Sequence, residues 1–210
     1  MFSKPYVVGS LSLLALIVAA AGIVGWRFAY FVVPFAWTGE PARLAERLRV
    51  GPGSRVADIG AGDGALAVEM ARLVGDRGEV YATELSVERR RAITRRLAEA
   101  EAPRVRVVEA AVDAINLPAG CCDAVYMRTV FHHIDDHAAF ARQIWDAVRP
   151  GGRVAVMDFS PGALWFHGRD HGVTPAAITV AFERAGFSLG QRVERWGASM
   201  FLLLFERRVE

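Results

Sequence analysis

Apolar residues recur along this chain in two alternating patterns. Short runs in which most positions are apolar read as buried strands: RVADI (55–59), EVYATE (79–84), RVRVVE (104–109), CDAVYM (122–127) and GRVAVMD (152–158). Between them lie stretches whose apolar residues fall three or four apart, the spacing of a helix with one buried face. Leu66, Met70 and Leu73 share such a face in a helix predicted over 64–74. Ser86 stands where it would cap a helix running to about Ala100, and Asp135 where it would cap one running to about Val148. Thr174, followed by Pro175, opens a helix that ends at Gly186. Residues 40–49 read as a short amphipathic helix, and two strands near 188–194 and 200–206 close the chain.

Strands that alternate with helices need crossover connections, so they form a mostly parallel sheet covered on both faces. Only a few residues near Gly197 join the last two strands, too few for a crossover, and that pair is therefore expected to be antiparallel.

The first forty residues break this alternation. Tyr6 to Trp26 carries no charge and shows no polar face. A helix of about 20 residues spans roughly 30 Å, the hydrocarbon thickness of a bilayer. Trp26 to Trp37 follows with amphipathic aromatics around Arg27, as at a membrane–water interface. Residues 1–39 are therefore expected to be a membrane anchor, and residues 40–210 a separate domain. Lys4 precedes the apolar stretch and Arg27, Arg43, Arg47 and Arg49 follow it, which places the domain in the cytoplasm by the positive-inside rule. The rival is a signal peptide cleaved near Ala21, since Ala19, Ala20 and Ala21 satisfy the small-residue cleavage pattern.

Composition changes the picture little. The 210 residues carry a net charge of +2, which does not mark a dedicated nucleic-acid binder. Of the 25 basic residues only Lys4 is a lysine, a compositional bias. The densest run, Arg89, Arg90 and Arg91 with Arg95 and Arg96, has the spacing of a solvated helix face. Cys121 and Cys122 are neighbours, a spacing that gives neither a disulfide framework nor a zinc site.

Candidate chemistry begins with VADIGAGDG, residues 56–64. Here a strand, a glycine-rich turn and a helix follow one another. Gly60, Gly62 and Gly64 permit positive φ and close approach by a ligand, with Ala61 between them. Glu84 ends the second strand, where a carboxylate can accept both ribose hydroxyls of an adenosine, and Leu85 follows it. Gly60, Gly62 and Ala65 also satisfy the dinucleotide pattern, which leaves NAD open. Asp58 points the other way. A carboxylate at the end of the first strand repels a pyrophosphate but attracts an ammonium and a sulfonium, so it favours S-adenosyl-L-methionine.

With these residues in order, the chain resembles the class I methyltransferases, in particular the small-molecule group called type 11. VDAINLP (112–118), CDAVYMRTVFHHIDD (122–136) and VRPGGRVAVMDF (148–159) continue the series, and the resemblance covers about residues 40–210. It implies a doubly wound α/β sheet of seven strands in the order 3-2-1-4-5-7-6, with the last strand antiparallel. It also implies S-adenosylmethionine as cofactor, Asp113 and Ala114 beside the adenine, and Arg128 with Thr129 at the methionine end. The chain departs from the pattern where Ala110, Ala111 and Val112 replace the usual glycine before Asp113.

The acceptor side is marked by histidines. His132, His133 and His137 follow the fourth strand, and His167 and His171 follow the fifth, beside Trp165 and Phe166. His133, His167 and His171 are the candidates for acceptor chemistry. The run HHIDDH lacks a metal ligand at Ile134, and no metal site is expected. The expectation is methyl transfer to a small or lipidic acceptor, which the anchor would keep close to the membrane. An NAD-dependent oxidoreductase and a non-catalytic, membrane-bound module of the same fold are the alternatives.

Overall fold

The protein is described by a computed structural model over residues 39–102, 104–162, 172–196 and 200–209. The anchor expected over residues 1–39 falls, but for Gly39, outside these residues, as do His167 and His171. Among the described residues, no helix is long and apolar enough to cross a membrane.

The chain enters through α1 (Glu40–Leu48). Then follow β1 (Arg55–Ile59), α2 (Ala65–Val74), β2 (Glu79–Glu84), α3 (Val87–Glu99), β3 (Val105–Glu109) and β4 (Cys122–Arg128). A short 3-10 turn, Phe131–His133, leads to α4 (His137–Ala147), β5 (Val148–Asp158), α5 (Pro175–Ala185), β6 (Phe187–Trp196) and β7 (Met200–Arg207). The sheet order is β3-β2-β1-β4-β5-β7-β6, with β7 antiparallel to both neighbours. The mostly parallel sheet expected from alternation, the antiparallel pair expected from the short final link and the strand order implied by the resemblance are those observed.

Pleating divides the strand residues between two cores. Val56 of β1, Ala124 and Tyr126 of β4, and Met157 of β5 face α1, α2 and α3, packing with Leu44, Leu66, Met70 and Ile93. Ala57, Ile59, Val125, Met127 and Val156 face α4 and α5, packing with Phe140, Ile144, Ile178 and Phe182. The same alternation fixes the strand ends. Asp58, Glu84 and Arg128 fall on the α1–α3 side, and Asp158 falls on the α4–α5 side.

Two local expectations need correction. Asp136, not Asp135, caps α4, its side chain accepting from the Ala139 amide at 2.9 Å. The 3-10 turn over residues 131–133 takes up chain before the helix and shifts its start by one residue. The arginines of α3 are not all a solvated face. Arg90 donates to the Glu84 and Leu85 carbonyls and to Glu109, and Arg96 pairs with Asp63 at 2.6 Å. These two arginines brace the ends of β2 and β3 and the glycine turn.

Candidate active site

Among the described residues, the buried polar side chains are Glu40, Asp58, Thr83, Glu84 and Asp158. Four of them stand at the carboxyl ends of β1, β2 and β5, and the fifth opens α1. Burying such groups is costly unless something offsets it, so their gathering at one edge of the sheet marks a site.

The glycine turn shapes one wall. Gly60, Gly62 and Gly64 all have positive φ, but they differ in what surrounds them. A Cβ on Gly60 would lie 2.6 Å from Val130, and one on Gly64 would lie 3.0 Å from Ile93. A Cβ on Gly62 would meet nothing within 4 Å. Gly60 therefore lets the turns after β1 and β4 close on each other, while Gly62 leaves room for a ligand. The Gly62 amide donates to Glu84 Oε2 at 3.0 Å, and the Ser86 amide donates to Oε1 at 3.0 Å. Glu84 is thus held rigidly by both neighbouring turns.

Asp58 and Tyr126 are register partners on β1 and β4. Neither Asp58 Oδ2 nor the Tyr126 hydroxyl completes a hydrogen bond of ordinary geometry, although both are fully enclosed. Burial pushes the Asp58 carboxyl up to about 7; Glu84 and Asp63 add to the rise, while the Tyr126 hydroxyl and Arg128 oppose it. At about 7 the carboxyl is half ionised at neutral pH, and a cation arriving beside it favours the ionised form.

Arg128 ends β4 on the same side. Its Nε donates to Glu40 Oε1 at 3.3 Å, and Trp196 Nε1 donates to the same oxygen at 2.8 Å. Glu40 joins α1 and the end of β6 to Arg128. The next residue, Thr129, sits at φ 55°, a conformation a β-branched residue rarely adopts. Its amide bonds to the Met157 carbonyl at 2.8 Å and its hydroxyl to the Arg128 carbonyl at 2.7 Å, which hold it there.

Beyond β3, Ala111 and Ala114 close a tight turn through mutual backbone bonds. Gln143 of α4 clamps it, donating to the Asp113 carbonyl at 2.7 Å and accepting from the Ile115 amide at 2.9 Å. The Asp113 side chain is exposed. Leu85 at 52% and Val112 at 84% are large apolar side chains left open beside this turn, as walls for a flat apolar ring would be.

On the α4–α5 side a second polar group forms. His132 Nδ1 lies 2.8 Å from Asp158 Oδ1, with side-chain exposures of 3% and 0%. The His132 amide donates to Asp158 Oδ2 at 3.2 Å, and the Phe159 amide donates to Oδ1 at 2.9 Å. The His132 ring lies 3.9 Å from that of His133 and 4.5 Å from that of Phe159. His133 itself is exposed.

Of the residues expected from sequence, Asp58, Glu84 and Arg128 lie at the carboxyl ends of the neighbouring strands β1, β2 and β4, with Gly60, Ala61, Gly62 and Gly64 in the turn after β1. Leu85 follows β2, and Asp113 and Ala114 lie in the turn after β3. Sequence reasoning missed Glu40, Tyr126, Gln143, Asp158 and Trp196. A signal existed for Asp158, which ends β5 just as Asp58 ends β1. The others depend on packing between distant segments.

A family model described as "Methyltransferase domain" matches residues 57–156, which include the glycine turn, Glu84 and Asp113. The chain carries a methyltransferase domain of the class I, type 11-like family. The cofactor of that family is S-adenosyl-L-methionine. The site suits it: a buried Asp58 carboxyl with one oxygen left without a hydrogen bond for a cationic group, open space at Gly62, and a fixed carboxylate at Glu84 for ribose. The "Ubiquinone/menaquinone biosynthesis C-methyltransferase UbiE" of Vibrio campbellii is 27% identical over 114 residues, 54% of this chain and 44% of that protein. The corresponding protein of Yersinia enterocolitica is 28% identical over 53% of this chain and 45% of its own length, so the chain spans less than half the length of these curated relatives. A solved SAM-dependent methyltransferase from Aquifex aeolicus superimposes with a TM-score of 0.69 at 22% identity, covering 80% of this chain and 89% of that one. The [4+2]-cyclase SpnF superimposes with a TM-score of 0.66 at 15% identity, covering 81% and 80%. The fold therefore hosts more than one reaction, and the reaction must be argued from the site.

Proposed function

We propose that this protein transfers a methyl group from S-adenosylmethionine to a ring carbon of a hydroxyaryl lipid. The observation that carries the cofactor half is the buried Asp58 carboxyl, whose Oδ2 completes no hydrogen bond, at the strand end that leads into the Gly62 turn held by Glu84. A pyrophosphate would meet an acid there, and Glu84 already occupies the Gly62 amide that a phosphate would need, which weighs against NAD. Glu84 binds the ribose, Leu85 and the turn at Asp113 and Ala114 flank the adenine, and Arg128 faces the methionine carboxylate. When bound, the cofactor supplies an electrophilic methyl group on a sulfonium with a neutral thioether leaving group. The chain's part is to align the acceptor with that methyl and to exclude water.

The acceptor half rests on the relatives that methylate carbon in ubiquinone and menaquinone biosynthesis. A quinone ring is electrophilic, whereas its reduced hydroxyaryl form is nucleophilic at carbon, so the reduced form is the acceptor. The uncharged stretch at residues 6–26 and the aromatics up to Trp37 support a membrane anchor with the domain on the cytoplasmic side. His133, His167 and His171, in the segments after β4 and β5, are assigned to the acceptor side.

The test is turnover of the full-length protein with isotopically labelled S-adenosylmethionine and a lipid extract reduced with dithionite. Label on a ring carbon of an extractable hydroxyaryl lipid is the expected result. Label confined to water-soluble amines or to protein would overturn the acceptor class.

A further inference from the structure

Asp58 has to carry its charge to hold a cationic cofactor, yet its surroundings oppose that charge. The residue is 3% exposed. Two other carboxylates act on it, Glu84 at the end of β2 and Asp63 in the turn before α2. One guanidinium acts the other way, that of Arg128 at the end of β4, and Glu40 of α1 is already paired with it. A single shared cation against two like charges does not offset burial. A neutral donor whose bond strengthens as the carboxyl loses its proton would do so.

Tyr126 is placed to be that donor. It faces Asp58 as register partner across β1 and β4, and its fully buried ring belongs to the core on the α1–α3 side, the side on which Asp58 lies. The carboxyl that acts on its hydroxyl is that of Asp58. Both the hydroxyl and Asp58 Oδ2 are enclosed without a hydrogen bond of ordinary geometry. An enclosed donor and an enclosed acceptor on adjacent strands can satisfy one another. Burial and the neighbouring carboxyl hold the phenol proton in place well above the usual tyrosine range, so the group remains a donor at neutral pH. A protonated carboxyl accepts only a neutral hydrogen bond from it, whereas a carboxylate accepts a charge-assisted one, roughly twice as strong.

We infer that Tyr126 is a positioning residue for cofactor binding: its hydroxyl donates to Asp58 and lets that carboxyl carry its charge when the cationic cofactor arrives. The inference rests on the assignment of Asp58 to S-adenosylmethionine above. On binding, the Asp58 proton leaves to the buffer and Tyr126 keeps its own. A hydrogen bond to a charged group shifts such an equilibrium by about tenfold or more, so loss of the hydroxyl moves Asp58 ionisation to higher pH.

The test is calorimetric titration of the full-length protein with S-adenosylmethionine, whose sulfonium stays charged at every pH. Tyr126→Phe removes the hydroxyl and keeps the ring. It should bind about tenfold more weakly than wild type at pH 6, and within about twofold of it at pH 8.5, where most of Asp58 is ionised in both. In an Asp58→Asn background the same change should alter affinity by less than about twofold at either pH. In the wild type, the infrared difference between bound and free protein at pH 6 should contain tyrosine bands, recognised by their shift when the tyrosines are ring-deuterated. A difference spectrum without tyrosine bands overturns the inference even if the variant does not fold. A Tyr126→Phe deficit that is equal at both pH values, or that persists beside Asp58→Asn, assigns the ring to packing and overturns it too, as does wild-type affinity in Tyr126→Phe at pH 6. Failure of the cofactor reading looks different: the wild type would then bind no S-adenosylmethionine.

Discussion

Asp58 gives a prediction with a definite sign. Burial pushes its carboxyl up to about 7, against 3.8 when unperturbed. A cofactor with an ammonium and a sulfonium binds the ionised form, so below pH 7 binding must first expel a proton. With half of the carboxyl ionised at pH 7 and about 3% at pH 5.5, affinity should fall about 15-fold between those values. Working below pH 7 also keeps the cofactor's own ammonium charged, since α-amino groups titrate near 7.7. Calorimetric titration in buffers of different ionisation enthalpy should show close to one proton released per cofactor bound at pH 6. Asp58→Asn should bind more weakly at pH 7 and show little dependence on pH, which separates Asp58 from His132, His133 and His137. An affinity flat with pH in the wild type, or an equal slope in Asp58→Asn, would refute the reasoning.

Other outcomes follow from the same geometry. Measured without added cofactor, stability should decline as pH rises from about 4 to 7, because the folded state holds the Asp58 proton that the unfolded chain has lost. The full cost, about 4 kcal/mol at the ~1.4 kcal/mol each pH unit carries, should be largely relieved in Asp58→Asn, raising Tm at pH 8 but not at pH 4. Gly62→Ala should fold, at a cost of about 1 kcal/mol for its positive φ, yet lose cofactor binding, whereas Gly60→Ala should destabilise the fold by pressing on Val130; circular dichroism melts and titration distinguish them. Glu84→Ala should lose about 1.5–3 kcal/mol of cofactor affinity. It should also lower Tm, because the Gly62 and Ser86 amides lose their acceptor. Arg128→Ala, and more mildly Glu40→Gln, should weaken binding of S-adenosylhomocysteine but spare 5′-methylthioadenosine, which has no methionine carboxylate; equal losses for both ligands would remove Arg128 from that role.

The sheet was legible in the sequence because its signals are local. Apolar runs mark β1 to β5, Thr174 and Ser86 cap their helices, and the short link after β6 forces the antiparallel pair. The cofactor side was legible for a related reason: a glycine turn and a carboxylate at a strand end are fixed by backbone geometry. What escaped the sequence depends on contacts across long separations. Glu40 meets Trp196 over 156 positions and Arg128 over 88, and no pattern along the chain pairs them. Gln143 reaches the turn at Asp113 from the middle of a helix whose other residues read as ordinary amphipathic positions. His132 and His133 looked equivalent as neighbours; the turn at residues 131–133 sends one ring inward to Asp158 and leaves the other exposed.

The identity of the cofactor underlies every assignment in the site, and one titration tests it. Full-length protein in detergent should take up S-adenosylhomocysteine at one site per chain and give no heat with NAD or NADH. Saturable binding of NAD, with no response to S-adenosylhomocysteine or S-adenosylmethionine, would contradict the roles given to Asp58, Glu84 and Arg128 together.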